Sequence, residues 1–298
     1  MNKYIYILIG ATLFRVSAFA EDVVADLKPF PSSTNYTFQS IKPFYAGQKA
    51  VDRISRNEKI LWESVDRGDL GMTEKLLSLG VNPDVACDYK QIYMALLHVA
   101  VIHQNLEMVQ LLVKYEAAID MPIPNPDVMG DYLTPLGVAC MVEAKEIFFY
   151  LLEKYIDADM RFDTDPHAAD YLFAAIKWGN AAAAKQLLER GTNPNATVTL
   201  GEPPFPMHAL HFAVMHQNLE MVQLLIEHGA IIDPTMPNPN VPGDYVTPLA
   251  VAIALQPAGF TLSVDPKASP IAVYLMEKYI EAGIPEYLWM HRCNEDTV

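Results

Sequence analysis

Apolar residues recur along the middle of this chain with the spacing of an amphipathic helix. Leu106, Val109, Leu112 and Val113 fall at positions i, i+3, i+6 and i+7, which places them on one helical face. A shorter apolar run precedes each such stretch. Between the two runs stands a turn residue at each of four places: Gly68, Gln104, Gly179 and Gln217. The pattern therefore predicts pairs of helices, a short inner helix followed by a longer outer helix.

The pattern also repeats at two scales. The segment from His103 to Leu112 returns unchanged from His216 to Leu225, so the core resembles a tandem duplication. Within each half, a small residue marks every short helix, at intervals of 36 to 39 residues: Ser64, Ala100, Ala139, Ala175, Ala213 and Ala252. Repeats of roughly 20 to 50 residues are typical of a solenoid. The sequence predicts an all-α repeat solenoid of six helix-turn-helix units, three in each half.

Local signals predict where the helices begin and end. Thr134 with Pro135, and Thr247 with Pro248, place a capping hydroxyl before a proline at the first helical position. Glycines stand where an outer helix needs a left-handed cap: Gly80, Gly191 and Gly229.

These motifs resemble the ankyrin repeat family. The likeness rests on the Thr-Pro-Leu openings, the Leu-His-x-Ala of residues 97–100 and 210–213, and the Gly-Ala-x-x-Asp of 229–233. It implies β-hairpin fingers between helix pairs, longer than usual because the units exceed about 33 residues. It also implies that His98 and His211 form hydrogen bonds between neighbouring repeats. Three positions depart from the family pattern: Ser64 replaces the alanine, and Tyr155 and Tyr279 replace the cap glycine.

The resemblance gives the domain plan. The repeat domain covers residues 59–283, with units at about 59–94, 95–133, 134–169, 170–207, 208–246 and 247–283. Residues 21–58 are predicted to be an N-terminal extension and cap, and 284–298 a C-terminal cap; a binding arm is the alternative for both. The sixth unit has an enlarged inter-helix loop near Gly259 to Ser269, which either disturbs that repeat or adds a lip to a binding surface.

The first 20 residues have the pattern of a secretory signal peptide. Lys3 precedes an apolar stretch from Tyr4 to Phe14, and Ala18-Phe19-Ala20 is a small-x-small cleavage site. The stretch is too short for a permanent anchor, so we expect cleavage after Ala20, a periplasmic or secreted protein, and no membrane insertion afterwards. An uncleaved hydrophobic N-terminus is the alternative.

The net charge of the protein indicates which chemical class of partner it binds. The formal net charge is -15, and removing residues 1–20 takes away Lys3 and Arg15 but no acid, which leaves -17. Such a protein repels nucleic acid and anionic membranes and favours a basic protein partner. The alternative is that the charge serves solubility alone. If the source is eukaryotic, Asn35 and Asn195 stand in glycosylation motifs, so the compartment stays open.

The chain shows no motif for catalysis, cofactor binding or metal binding. His208 and His211 could share a helix face, but no carboxylate or cysteine stands beside them at ligand spacing. We expect Cys140 to be buried as a small apolar residue. Whether Cys87 and Cys293 form a disulfide stays open, since three cysteines leave at least one unpaired.

The candidate binding residues form two sets. In the ankyrin arrangement, the second and third residues after each small anchor point into a concave groove, and here this row is unusually apolar. Its candidates are Ile102, His103, Met141, Val142, Lys177, Trp178, Met215, His216 and Leu255. The fingers add aromatic residues: Tyr93, Tyr132, Phe205 and Tyr245. A local segment, such as the N-terminal arm, could instead cover the row.

These features predict a non-enzymatic, exported protein that binds a protein partner through its groove and fingers, as an inhibitor, immunity or stabilising partner. Two alternatives remain. One is an enzyme or small-molecule receptor with a closed pocket around His103, His216 and Lys177. The other is a structural element of an envelope assembly.

Overall fold

The computed structural model describes residues 55–89, 92–124, 132–200, 205–237, 245–255 and 269–284. These residues fall into two compact units, 55–160 and 161–284, and each is taken by itself. The predicted signal peptide, most of the predicted N-terminal extension, the enlarged loop near Gly259 to Ser269 except Ser269 itself, and Cys293 lie outside the described residues. No helix in the described part is long and apolar enough to cross a membrane.

The first unit contains three helix pairs joined by two hairpins. In chain order its elements are α1 (Arg56–Asp66), α2 (Leu70–Ser78), β1 (Ala86–Tyr89), β2 (Ile92–Ala95), α3 (Leu96–Ile102), α4 (Leu106–Lys114), β3 (Ile123–Pro124), β4 (Tyr132–Leu133), α5 (Pro135–Met141) and α6 (Lys145–Asp157). The inner helices α1, α3 and α5 pack in sequence, and so do the outer helices α2, α4 and α6.

The second unit has the same order. Its elements are α7 (Ala168–Lys177), α8 (Ala181–Glu189), β5 (Thr197–Leu200), β6 (Phe205–His208), α9 (Ala209–Met215), α10 (Leu219–Glu227), β7 (Met236–Pro237), β8 (Tyr245–Val246), α11 (Pro248–Ala254) and α12 (Pro270–Glu281). Here too, inner helices pack on inner helices and outer on outer. Each hairpin is antiparallel, as the resemblance implied for the fingers.

Two inner helices begin at the capping threonines that the sequence predicted. Thr134 and Thr247 accept hydrogen bonds from the backbone N–H groups of Gly137 and Ala250, at 3.3 and 3.2 Å. A proline follows each threonine in the first helical turn, as predicted. Four outer helices, α2, α4, α8 and α10, use an amide or carboxylate in the same role: Asp69, Asn105, Asn180 and Asn218.

The turn between the helices of a pair uses a left-handed residue. Gly68, Gln104 and Gln217 have φ of 72°, 52° and 52°, which confirms the predicted turn positions. Beyond the outer helices, Gly80, Gly191 and Gly229 also have positive φ, as a left-handed cap requires. A side chain is excluded at Gly191 for a second reason, because an added Cβ would lie 2.8 Å from the Cβ of Asp163.

The prediction that Tyr155 and Tyr279 take the place of the cap glycine is wrong. Helices α6 and α12 continue beyond them, to Asp157 and Glu281, and the left-handed residues are Asp159 and Gly283. The reason is that both tyrosine side chains are buried and reach back to the preceding repeat. The Tyr155 hydroxyl donates to the Ile119 carbonyl at 2.9 Å, and the Tyr279 hydroxyl donates to Oδ1 of Asp233 at 2.6 Å.

Candidate protein-binding surface

The predicted groove residues occupy one structural position throughout. Each pair consists of the last residue of an inner helix and its C-cap: Ile102 and His103, Met141 and Val142, Lys177 and Trp178, Met215 and His216, Ala254 and Leu255. We call the set of residues 102, 103, 141 and 142 the first-unit row. The set of residues 177, 178, 215, 216, 254 and 255 is the second-unit row.

Most of these side chains retain some exposure. In the first-unit row, Ile102, Met141 and Val142 are partly exposed and His103 is exposed. In the second-unit row, the partly exposed residues are Lys177, Trp178, His216 and Leu255. Each row therefore presents apolar or aromatic surface beside polar groups.

Met215 departs from the expectation of an exposed residue. Its relative exposure is 3%, so it belongs to the core, and its neighbour in the row, Ala254, is at 2%. Met215 ends α9, which packs between α7 and α11, so an inner helix of a neighbouring repeat lies on either side of it.

In the first unit, polar contacts connect successive inner helices at this position. Nε2 of His103 lies 3.2 Å from Oδ1 of Asp66, the last residue of α1. The side-chain amide of Gln104 donates to the Val142 carbonyl at 3.0 Å. The ends of α1, α3 and α5 are thus joined by side chains that stay accessible to solvent.

In the second unit, aromatic contacts occupy the corresponding place. The rings of Phe173 and Phe212 lie 5.0 Å apart, and the ring of His216 meets that of Phe212 edge-on at 4.6 Å. Burial, followed by the positive charge of Lys177, lowers the pKa of His216. Nε2 of His216 is buried and makes no hydrogen bond within the described residues.

The two histidines of the Leu-His-x-Ala motifs belong to the core. His211 hydrogen-bonds through Nε2 to the Val246 carbonyl of the next repeat at 3.0 Å, as the resemblance implied. Burial lowers the pKa of His211 to about 3 and that of His98 to about 4, and the backbone of Leu133 and Met121 offsets part of the effect at His98. Both are neutral near pH 7. Among the described residues, no three His, Cys, Asp or Glu side chains are grouped as metal ligands.

The fingers repeat one exposed aromatic arrangement. Tyr132 pairs with Pro124 across the β3–β4 hairpin, and Tyr245 pairs with Pro237 across β7–β8. The two tyrosines have relative exposures of 37% and 55%. Tyr93 and Phe205 lie in β2 and β6, and their side chains are outside the described part. Hence, among the finger side chains that the structure describes, each unit presents an exposed tyrosine opposite a proline.

Asn195 holds two repeats together. Its Nδ2 donates to the Gly229 carbonyl at 3.3 Å, and its Oδ1 accepts from the Ile231 N–H at 2.7 Å. Asp84 has the same role in the first unit, where it accepts from the Ala118 N–H at 2.7 Å. A glycan on Nδ2 of Asn195 would replace one of its two amide hydrogens and leave the Oδ1 contact in place.

The sequence reasoning missed the contact between Asp66 and His103. His103 was predicted as a surface position of the row, and Asp66, the second residue after the anchor Ser64, was not connected with it. The available signal was the repeat spacing itself, which puts the second residue of one unit beside the third residue of the next. Cys140, predicted to be buried, has a relative exposure of 4%.

Stacked helix pairs joined by hairpins define a class of all-α repeat proteins. Residues 61–162 and 172–262 match the family model described as ankyrin repeats in three copies. This match covers more than half of the chain, and the chain belongs to the ankyrin repeat family. Ankyrin repeat domains are protein–protein interaction modules and are generally not enzymes.

One curated relative is the ankyrin repeat protein FPV018 of Fowlpox virus (strain NVSL). It is 29% identical over 131 residues, which are 44% of this chain and 17% of the viral protein. The chain therefore spans only a small part of that relative's length.

Many solved structures resemble the chain, and three of them illustrate the likeness. The ankyrin repeat domain of Bcl-3, a member of the IkappaB family, is 25% identical, with 65% of this chain and 78% of that chain covered and a TM-score of 0.39. The human ASB11 ankyrin repeat domain is 16% identical, with coverages of 91% and 96% and a TM-score of 0.41. The third is a structure of the Bd0816 predatory endopeptidase from Bdellovibrio bacteriovorus in complex with immunity protein Bd3460. It is 19% identical, with coverages of 74% and 98% and a TM-score of 0.45.

Proposed function

We propose that this protein is exported and that it inhibits or stabilises a protein partner, without chemistry of its own. The proposal rests on the apolar side chains that lie at the C-terminal ends of the inner helices. In the first unit they present Ile102, Met141 and Val142, and in the second Trp178 and Leu255, all partly exposed. Apolar side chains grouped on a surface lose contact with water when a partner covers them, which favours association.

The fingers support the same function. Tyr132 and Tyr245 are exposed at matching positions, and a tyrosine provides a large contact area with few rotatable bonds. The proline opposite each tyrosine fixes the backbone φ angle. A stiff finger loses less conformational entropy on binding, so these positions suit recognition.

The charge favours a basic partner surface. A formal net charge of -15 attracts positively charged proteins over a distance set by the ionic strength. Together with the signal-like residues 1–20, this favours a partner met outside the cytoplasm, such as a toxin or an envelope enzyme.

Site-specific photo-crosslinking tests the proposal. A photoreactive phenylalanine analogue replaces Ile102 in one variant and Trp178 in another, in the full chain expressed in its own source. Matched controls carry the analogue at Leu79 or Ile280, which are 70% and 69% exposed but lie at or on outer helices. We expect one protein, identified by mass spectrometry, to be crosslinked at positions 102 and 178 and at neither control position.

The partner's behaviour then decides between the two roles. An inhibitor lowers the activity of the purified partner, whereas a stabilising protein raises its unfolding temperature without reducing its activity. Equal crosslinking at all four positions, or none at 102 and 178, would show that the inner-helix ends are not the binding surface.

A further inference from the structure

The outer helices α4 and α10 offer nearly the same apolar residues to their neighbours. Their first seven residues, counted from Leu106 and from Leu219, are identical. In the folded protein α4 packs against the outer helix α2, and α10 packs against the outer helix α8. The information that assigns each helix to its own neighbour therefore has to come from positions at which the two copies differ.

An ion pair joins the outer helices of the first unit. Nζ of Lys114, the last residue of α4, lies 3.0 Å from Oε1 of Glu74 in α2. Both side chains are exposed, at 64% for the lysine and 52% for the glutamate. The first unit thus has a negative charge on α2 and a positive charge on α4.

The duplication has reversed both of these charges. Lys185 of α8 stands 111 positions after Glu74, and Glu227, the last residue of α10, stands 113 positions after Lys114. Lys185 forms an ion pair with Glu189 of its own helix, at 3.8 Å. What the second unit keeps is therefore a pair of opposite signs on its outer helices, in the reverse order.

We propose that these two oppositely ordered charge pairs specify which outer helix packs beside which during folding. If α4 took the place of α10, Lys114 would lie beside Lys185. In the reverse exchange, Glu227 would lie beside Glu74. Each exchanged helix would then meet a like charge, which disfavours the wrong packing. This role concerns the assembly of the chain itself, so it goes beyond the proposed binding function and does not depend on a partner.

The pairs act on the choice between two packings more than on the stability of the folded state. An exposed ion pair stabilises a folded protein weakly, because water and dissolved ions screen the charges. An exchange of the two helices has a larger effect, since it removes the attraction and adds two repulsive contacts. Wrong pairing of similar units is a common failure in the folding of repeat proteins. The charges should therefore change mainly the fraction of chains that reach the native state.

Refolding of a charge-exchanged variant of the full chain tests the proposal. The double variant E74K/K114E keeps opposite charges on α2 and α4, but it gives both units the same order of signs. Exchanged helices then meet opposite charges and are no longer disfavoured. After dilution from urea, we expect a misfolded fraction about threefold that of the wild type, measured by size-exclusion chromatography and near-UV circular dichroism. The native fraction should unfold at the urea concentration of the wild type.

Two further variants give matched controls. K185E/E227K also gives both units one order of signs, so it should misfold as much as E74K/K114E. The fourfold variant E74K/K114E/K185E/E227K makes the two orders different again, and its misfolded fraction should return to the wild-type level. Every variant keeps the net charge of -15, so a general effect of charge does not produce this pattern.

A carbodiimide crosslink identifies the exchanged helices directly. The reagent joins a carboxylate to an adjacent ammonium group, and mass spectrometry identifies the joined positions. In the misfolded fraction of E74K/K114E we expect a bond between positions 74 and 227, which are both glutamate in the wild type. Equal misfolding of the wild type and both double variants would overturn the proposal. So would a fourfold variant that misfolds like the doubles, or a misfolded fraction without the bond between positions 74 and 227.

Discussion

The buried histidines His98 and His211 show how a polar residue can serve as a core residue in this protein. Each has a relative exposure of 0%, and burial keeps each imidazole neutral. A neutral imidazole has a single N–H to place, and in His211 the Nε2 position faces a carbonyl of the next repeat. One proton on one nitrogen thus connects two repeats, and this connection depends on pH.

We expect the free energy of unfolding to fall as the pH drops from 6.5 towards 4. The pKa of His98 is lowered from its ordinary 6.5 to about 4, so below pH 6.5 the unfolded chain binds the proton and the folded chain does not. For His98 alone the loss is about 3 kcal/mol once the pH is below both values. Urea unfolding at a series of pH values measures it.

The matched variant for this experiment is His211→Gln. The glutamine amide can still donate to the Val246 carbonyl but does not titrate in this range. Its stability should depend less on pH than that of the wild type. Equal pH profiles for the two proteins would show that His211 contributes nothing to the acid sensitivity.

At the scale of elements, the turns between paired helices carry backbone strain. Gln104 and Gln217 both have φ of 52°, a left-handed conformation that L-residues other than glycine adopt at a cost. Gly68 and Gly179 take the same position without that cost. The two glutamines differ in one respect, because Gln104 donates to the Val142 carbonyl, and within the described residues Gln217 has no such bond.

Gln217→Gly should therefore stabilise the protein by about 0.5 to 1 kcal/mol, less than the full relief of strain because glycine is more flexible in the unfolded chain. Gln104→Gly should give little or no gain, because the lost hydrogen bond offsets the relief. Urea unfolding of the two single variants compares them directly. A larger gain at position 104 would contradict this account.

The outer helices α6 and α12 depend on a tyrosine to fix their position on the preceding repeat. Tyr279→Phe should lower the free energy of unfolding by about 2 kcal/mol, since its hydroxyl donates to the carboxylate of Asp233. Tyr155→Phe should cost about 1 kcal/mol, since its acceptor is a neutral carbonyl. Thermal or urea unfolding tests the order, and an equal loss in both variants would show that the acceptor's charge has no effect.

At the scale of the whole molecule, the sequence predicted the features that every repeat shares. It did not predict the contacts that depend on how one repeat differs from the next. The caps at Thr134 and Thr247, the left-handed turns and the burial of Cys140 follow from local patterns, and the structure confirms them. The burial of Met215 and the roles of Tyr155 and Tyr279 depend on neighbouring repeats, which a local pattern does not contain. The same holds for the Asp66–His103 contact, which joins residues 37 positions apart.

The proposed export of the protein can be tested directly. N-terminal sequencing of the protein recovered from the periplasm or medium of its source should begin at Glu21, because Ala18-Phe19-Ala20 fits a signal-peptidase site. An Ala18→Lys variant should remain uncleaved in the same cells. A wild-type protein that keeps Met1 and stays in the cytoplasm would exclude the proposed compartment.

The nearly identical helices α4 and α10 have a consequence for how the chain folds. Both begin with the sequence Leu-Glu-Met-Val-Gln-Leu-Leu. During folding, α4 can therefore pack against α9, the inner helix that pairs with α10, and α10 can pack against α3, which traps the chain in a non-native state. Synthesis from the N-terminus removes part of this competition, because the first copy can fold before the ribosome releases the second. Refolding from denaturant, where both copies are present from the start, should therefore produce more misfolded chains than synthesis does.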